Sequence, residues 1–192
     1  MSMKVILIHG ANATKAAWNW LGSNIKDHVR LEWFMSSTPE ENLQAMEALL
    51  PDEPCMVLGH SMGGLYAWHL AERNPGKIIS GISLATPWGG SIQASFWRST
   101  KLNLNMPWLE MFSRIEPWTK KARTVAPSVP WTNIVCTHGF DMFAVGPNDG
   151  VLTVVSQQEI YSKDEEIILN YGHNEVLQSN ELVEIVKLKS KQ

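Results

Sequence analysis

Between the apolar run Cys55-Met56-Val57-Leu58 and a helix-like run from Leu65 to Arg73 stand Gly59-His60-Ser61-Met62-Gly63-Gly64. A strand, a sharp turn with small residues on both sides of a serine, and a helix leave a chain few ways to fold. The G-x-S-x-G spacing is that of a nucleophile elbow, in which the chain reverses so tightly that the serine is forced into a strained conformation with its hydroxyl exposed. Gly59 and Gly63 suit this turn because a Cβ at either place would crowd the turn or the neighbouring strands. The helix starting behind Ser61 directs free N–H groups and its positive end at the place where negative charge would develop. The plainer alternative is a Gly/Ser turn that merely links a strand to a helix.

The rest of the chain supplies the sheet this turn needs. Lys4 to His9 is a continuous aliphatic run suited to a strand buried on both faces. Thr14 is placed to cap a helix running to about Lys26. Val29 to Phe34 reads as a second strand. Thr38-Pro39-Glu40-Glu41 opens a helix with a Thr cap, Pro at the first position and Glu three residues after the cap. Strands follow at Ile78–Leu84, Thr132–Thr137 and Glu166–Asn170, and a closing helix at Ser179–Lys189. Strands alternating with helices predict a parallel α/β sheet with right-handed crossovers and a site at the carboxyl ends of the strands. His9, Ser61, Thr86, Asp149 and His173 all fall just after predicted strands, at one edge of that sheet.

A serine hydroxyl needs a base within hydrogen-bond reach, and the base needs an orienting acid. Of six histidines, His173 follows the last strand beside Gly172, and His138 competes with it after the preceding strand. His28 and His69 lie within or beside helices, His60 points away from Ser61 as its chain neighbour, and His9 shapes the loop it opens. Asp149, in Asn148-Asp149-Gly150, is the preferred acid; Asp141, Asp164 and Glu165 are rivals. Asp149 with His173 gives the chain order Ser, Asp, His. Acyl transfer also requires donors for an oxyanion, expected from the backbone N–H of Met62 and of Ala11 in the loop after the first strand. Gly10 and Asn12 in that loop, and Trp88 just beyond Thr86-Pro87, are the expected substrate-facing positions.

These motifs together, with Ala85-Thr86-Pro87 and Gly150-Val151, resemble the α/β-hydrolase superfamily, in the style of small bacterial lipases and esterases and of the lipase-like group that includes GPI inositol-deacylases. The resemblance implies a carboxylic-ester hydrolase with a Ser61-His173-Asp149 triad and no cofactor, and a six-stranded, mainly parallel sheet in the order 2-1-3-4-5-6; no metal site is expected, because the histidines and acids show no close ligand spacing. It is a minimal version of the fold, without the first two strands of the full-length form. In that order another strand separates Cys55 from Cys136, so both are expected to be buried free thiols rather than a disulfide. Thioesterase, amidase or acyltransferase chemistry would use the same triad, and a non-catalytic binding protein could keep the same fold.

Residues 1–192 are expected to form one domain, long enough to bury roughly 70% of the unfolded surface, with an insertion at about 87–130 lying over the site as a cap. Five of the nine tryptophans lie between Trp88 and Trp131, a stretch with a net charge of +4 in a chain of net charge −3. Short helices are expected at 92–101 and 108–114. The cap could form an acyl pocket or touch a lipid surface; alternatively its tryptophans pack it onto the core and its basic residues are solvated. The acidic balance argues against nucleic-acid binding. The N-terminus passes straight into the first strand, so a soluble, cytoplasmic protein without signal peptide is expected, acting on a small or lipid ester.

Overall fold

The computed structural model describes residues 2–90, 117–140 and 146–191. Six strands, β1 (Lys4–Ile8), β2 (His28–Leu31), β3 (Cys55–His60), β4 (Ile78–Leu84), β5 (Trp131–Cys136) and β6 (Glu165–Leu169), form one sheet in the order β2-β1-β3-β4-β5-β6. Every pairing is parallel. Register aligns Ile8 with Gly59 and Leu31, so the chain leaves β1, β2 and β3 at one edge. Cys55 and Cys136 are buried free thiols on β3 and β5, with β4 between them.

Two apolar layers explain the continuous hydrophobic strands. Ile6, Ile8 and Val57 pack on one face with Leu43 and Met46 of α2 (Pro39–Glu47) and Leu65 and Trp68 of α3 (Met62–Arg73). Their neighbours Val5, Leu7, Met56 and Leu58 face the other way. They meet Leu21 of α1 (Asn19–Asn24) and, at the end of the chain, Leu182, Val183 and Val186 of a helix spanning Asn180–Lys189. The period-2 alternation divides the strands between two cores, and in the central strands, Val5–Ile8 of β1 and the whole of β3, neither face meets water.

Local chemistry set several helix starts, with side-chain caps from Thr14, Thr38, Thr153 and Ser179. Thr38 and Glu41 close a reciprocal capping box, with Glu41 N–H on Thr38 Oγ1 and Thr38 N–H on Glu41 Oε2. The helix expected from Thr14 to Lys26 is shorter and divided: a 3-10 turn at Lys15–Trp18 and then α1. Ser23 and Asn24 side chains bond the carbonyls of Asn19 and Trp20, in competition with the backbone, and Ile25 is extended. β2 also stops earlier than expected, because Phe34 bonds the Asn42 side chain with both its N–H and its carbonyl and Trp33 turns inward.

Of the expected cap, residues 91–116 lie outside the described residues, and with them both short helices expected there. Its end is helix α4 (Pro117–Ala122). Here Trp118 packs on His69 of α3 with ring centroids 4.3 Å apart, and its carbonyl accepts a hydrogen bond from His69 Nε2. Two short elements were not anticipated, α5 (Val154–Gln158) and a 3-10 turn at Glu175–Gln178; the closing helix is therefore α6. No helix among the described residues is long and apolar enough to cross a membrane.

Candidate active site

Ser61 joins β3 to α3 with φ 54° and ψ −128°, a region costly for any residue with a Cβ. Close packing of the glycines around it imposes this. A Cβ on Gly59 would stand 2.2 Å from the Gly63 carbonyl oxygen, one on Gly63 2.4 Å from that of Ile8, and one on Gly64 1.9 Å from Thr86 Oγ1. None of these three has a positive φ; they are glycines because helix and strands touch through them. Gly63→Ala is expected to lower stability by about 2–3 kcal/mol, since backbone rather than a mobile side chain must yield; urea unfolding of the variant measures it. The Ser61 N–H is held by the Leu84 carbonyl at 2.8 Å, which ties the turn to the end of β4.

Ser61 stands at the N-cap position of α3, yet its side chain makes no capping hydrogen bond. Serines at this position ordinarily accept from the helix N–H groups. Here the hydroxyl is left for another partner, and the side chain is nearly covered.

Asp149 is buried, and its carboxylate is fully engaged. Oδ1 accepts from the N–H groups of Val151 and Leu152, and Oδ2 accepts from Gln157 Nε2 at 3.1 Å and from His173 Nδ1 at 2.7 Å. A second bond, His173 N–H to the Asp149 carbonyl at 2.9 Å, fixes the two loops against each other. With Nδ1 donating to a carboxylate, the neutral imidazole presents Nε2 as its proton acceptor. The hydroxyl-to-imidazole link is not closed as a hydrogen bond among the described residues. His173 nonetheless abuts the elbow: its ring lies 4.8 Å from that of His60, and its carbonyl accepts His60 Nε2–H at 2.8 Å. Catalytic hydrogen bonds commonly tighten only when substrate is present.

The rival groups make no hydrogen bond to the Asp149–His173 pair among the described residues, although the His138 N–H bonds the Tyr171 carbonyl at 3.1 Å, beside the loop that carries His173. His138 is exposed on the loop after β5. Asp164 accepts the Trp131 N–H at the amino end of β5, and Glu165 begins β6 at that same edge, so both face away from the elbow. Asp141 lies outside the described residues.

After β1, Gly10 presses against the elbow: a Cβ there would be 3.0 Å from Ser61 Cβ. Asn12 turns the loop with φ 54° and is exposed. Among the described residues neither Ala11 N–H nor Met62 N–H has an acceptor, so both remain available to a bound group. Trp88 departs from expectation. Instead of facing substrate it is completely buried, edge-on to Trp131 with centroids 6.4 Å apart, and its indole N–H bonds Asn133 Oδ1 at 3.1 Å. The tight turn after β4, with Trp88 N–H on the Thr86 carbonyl and Ala85 at φ 47°, folds it back onto the core.

Three supporting residues were not legible as such. Gln157 on α5 is fully buried; its amide brackets Cys136 by accepting from its N–H and donating to its carbonyl, and also reaches Asp149. Gly139 permits contact between the β5 loop and the Asp149 turn, since a Cβ would be 2.1 Å from Gly150 N. His60 orients the His173 backbone from below. Only Gly139, as a glycine at a strand end, carried a local signal.

Fold and geometry together define a doubly covered parallel α/β protein organised on a strand–turn–helix serine, with an Asp–His pair at the same edge of the sheet. A family model described as the alpha/beta hydrolase fold matches residues 35–131, and the chain belongs to that family. Lipase LipV of Mycobacterium tuberculosis is 31% identical over 90 residues, a match covering 40% of this chain and 34% of that lipase. The matched part is thus about a third of that relative's length. The lipase BlEst2 of Bacillus licheniformis superposes on 97% of this chain in both its propeptide form (TM-score 0.77, 15% identity, 50% of that chain) and its mature form (TM-score 0.73, 14% identity, 92% of that chain). The thioesterase domain from the curacin biosynthetic pathway covers 96% of this chain and 90% of its own, with TM-score 0.64 at 17% identity. At such identities the structural likeness is one of fold.

Proposed function

We propose that this chain is a serine hydrolase of carboxylic esters, an esterase or lipase that works through an acyl-enzyme on Ser61. The observation that carries the reading is the 2.7 Å Asp149–His173 pair set against an elbow whose serine hydroxyl does not cap its own helix. Ser61 Oγ attacks the ester carbonyl while its proton passes to His173 Nε2. The tetrahedral oxyanion is held by the N–H groups of Ala11 and Met62. His173 then gives the proton to the leaving alkoxide, and the C–O bond breaks to leave acylated Ser61. A water loses a proton to His173 and attacks the acyl carbon; collapse returns that proton to Ser61 and releases the acid. Asp149 keeps Nδ1 protonated and stabilises the charged imidazole in each half-reaction. Cleavage through Ser61 needs no cofactor, and the substrate is a small or lipid ester; relatives named as lipases support that class.

A fluorophosphonate probe should label the protein once, with the adduct on the peptide containing Ser61, and the label should block hydrolysis of p-nitrophenyl butyrate. Labelling at another residue, or neither labelling nor turnover, returns the chain to the binding-protein reading. A matched p-nitrophenyl ester, thioester and anilide series assigns the acyl link: esters should be turned over fastest, and a thioester optimum would replace ester hydrolysis with thioesterase activity.

A further inference from the structure

We infer that His9, braced by Glu32 and Trp33, is a positioning residue that aims the Ala11 N–H at the oxyanion. The inference deepens the proposed reaction and rests on Ala11 being one of its donors. His9 Nδ1 lies 2.8 Å from the Gly10 carbonyl oxygen. A carbonyl can only accept, so Nδ1 carries the proton and donates it. The Gly10 carbonyl and the Ala11 N–H belong to one peptide plane, and the described peptides are trans. In a trans peptide these two groups point in opposite directions. Turning the carbonyl to the imidazole therefore turns the N–H away from it, on a loop whose Gly10 abuts Ser61. Ala11 offers only a methyl side chain, so the loop has to be oriented through its backbone.

The imidazole is itself held on every side. Its ring stacks on that of Trp33, with centroids 5.3 Å apart and planes within 10°. The Trp33 indole N–H bonds the His9 carbonyl at 2.8 Å. Nε2 lies 3.2 Å from Glu32 Oε1 and 3.4 Å from the Trp33 N–H, so either protonation state of that nitrogen has a partner. Glu32 also takes the Lys15 N–H on both carboxylate oxygens at 3.3 Å. It thereby clamps both ends of the loop from His9 to Lys15. His9 and Trp33 are 2% and 3% exposed, so the ring contact works away from solvent competition.

Two amide replacements separate aiming from packing. His9→Asn sets an amide donor near the position of Nδ1, and His9→Gln sets one near Nε2. The expected result with p-nitrophenyl butyrate is kcat near wild type for H9N and about 10²-fold lower for H9Q, with KM within a few-fold in both, as for loss of one oxyanion donor. Affinity for a trifluoromethyl ketone, whose Ser61 hemiketal places an oxyanion in the same site, should fall in parallel with kcat for H9Q. Glu32→Ala, at a partly exposed position, is expected to lower kcat about 10-fold at unchanged KM, and it decides the matter if H9Q does not fold. Wild-type kcat in both H9Q and E32A, or equal losses in H9N and H9Q, overturns the inference. An inactive wild-type chain that resists the fluorophosphonate instead overturns the proposed function, so the two failures are distinct.

Discussion

Ser61→Ala should reduce kcat for aryl esters by on the order of 10⁶-fold while leaving the folded structure intact. The size follows from what remains. Without the hydroxyl no acyl-enzyme forms, and the two N–H groups, together with a base that has lost its partner, can only assist attack by water. The fold should survive because Ser61 makes no side-chain capping bond, and its backbone anchor to Leu84 does not involve the hydroxyl. The smaller alanine must still hold φ near 54°, as the serine does. His173→Ala should match this loss, and the Ser61/His173 double variant should be no worse than either single one, because groups acting as one unit are not additive. Asp149→Asn should cost less but still on the order of 10⁴-fold, since an amide there favours the wrong imidazole tautomer. His138→Ala should be indistinguishable from wild type. Steady-state rates of the five proteins, with circular dichroism to verify folding, test the set. Retained turnover in S61A, or H138A behaving as H173A should, would end the assignment.

What could be read from the chain alone divides along a physical line. Strands buried on both faces announce themselves by continuous aliphatic runs, and parallel connections leave few topologies, so Lys4–Ile8 and Cys55–His60 fell within a residue or two of their predicted limits. The contact between Asp149 and His173 was legible because chain order and the shared sheet edge limit the choices. The supporting contacts were not. Gln157 lies on a five-residue helix too short for any periodicity, and its bond to Asp149 depends on a loop closing in three dimensions. Trp88 misled for a related reason. A tryptophan just beyond a strand end reads as facing the site, yet a single tight turn reverses it, and an indole that can satisfy its N–H on Asn133 gains most by burial. Glu32 and Trp33 read as strand because their composition suits one; in space they leave the sheet to hold the loop after β1.

Acid should weaken this fold well before its carboxylates are fully protonated. Burial pushes the His60 imidazole down to about 3, against the pull of its hydrogen bond to the His173 carbonyl, and the adjacent imidazole disfavours its charged form further. Burial likewise pushes His69 down to about 3, against the pull of its hydrogen bond to the Trp118 carbonyl, with Lys121 and Arg73 adding repulsion. In the unfolded chain both would take up protons near 6.5. Unfolding therefore binds protons between these limits: the contribution of the two rings is complete above about 6.5 and declines as pH falls toward 3. Each group removes about 1.4 kcal/mol per pH unit in that window, so moving from pH 7 to pH 5 should cost about 4 kcal/mol for the pair. That is a large share of the 5–15 kcal/mol typical of a folded domain. Urea midpoints at the two pH values, with an unchanged slope, measure the loss. His69→Gln isolates half of it, because a Gln amide can still donate to the Trp118 carbonyl but cannot titrate; this variant should lose about 2 kcal/mol less than wild type over the same interval. Equal acid sensitivity of the two proteins would mean that His69 takes its proton without leaving the contact between α3 and α4, and that contact would then be open to water rather than sealed.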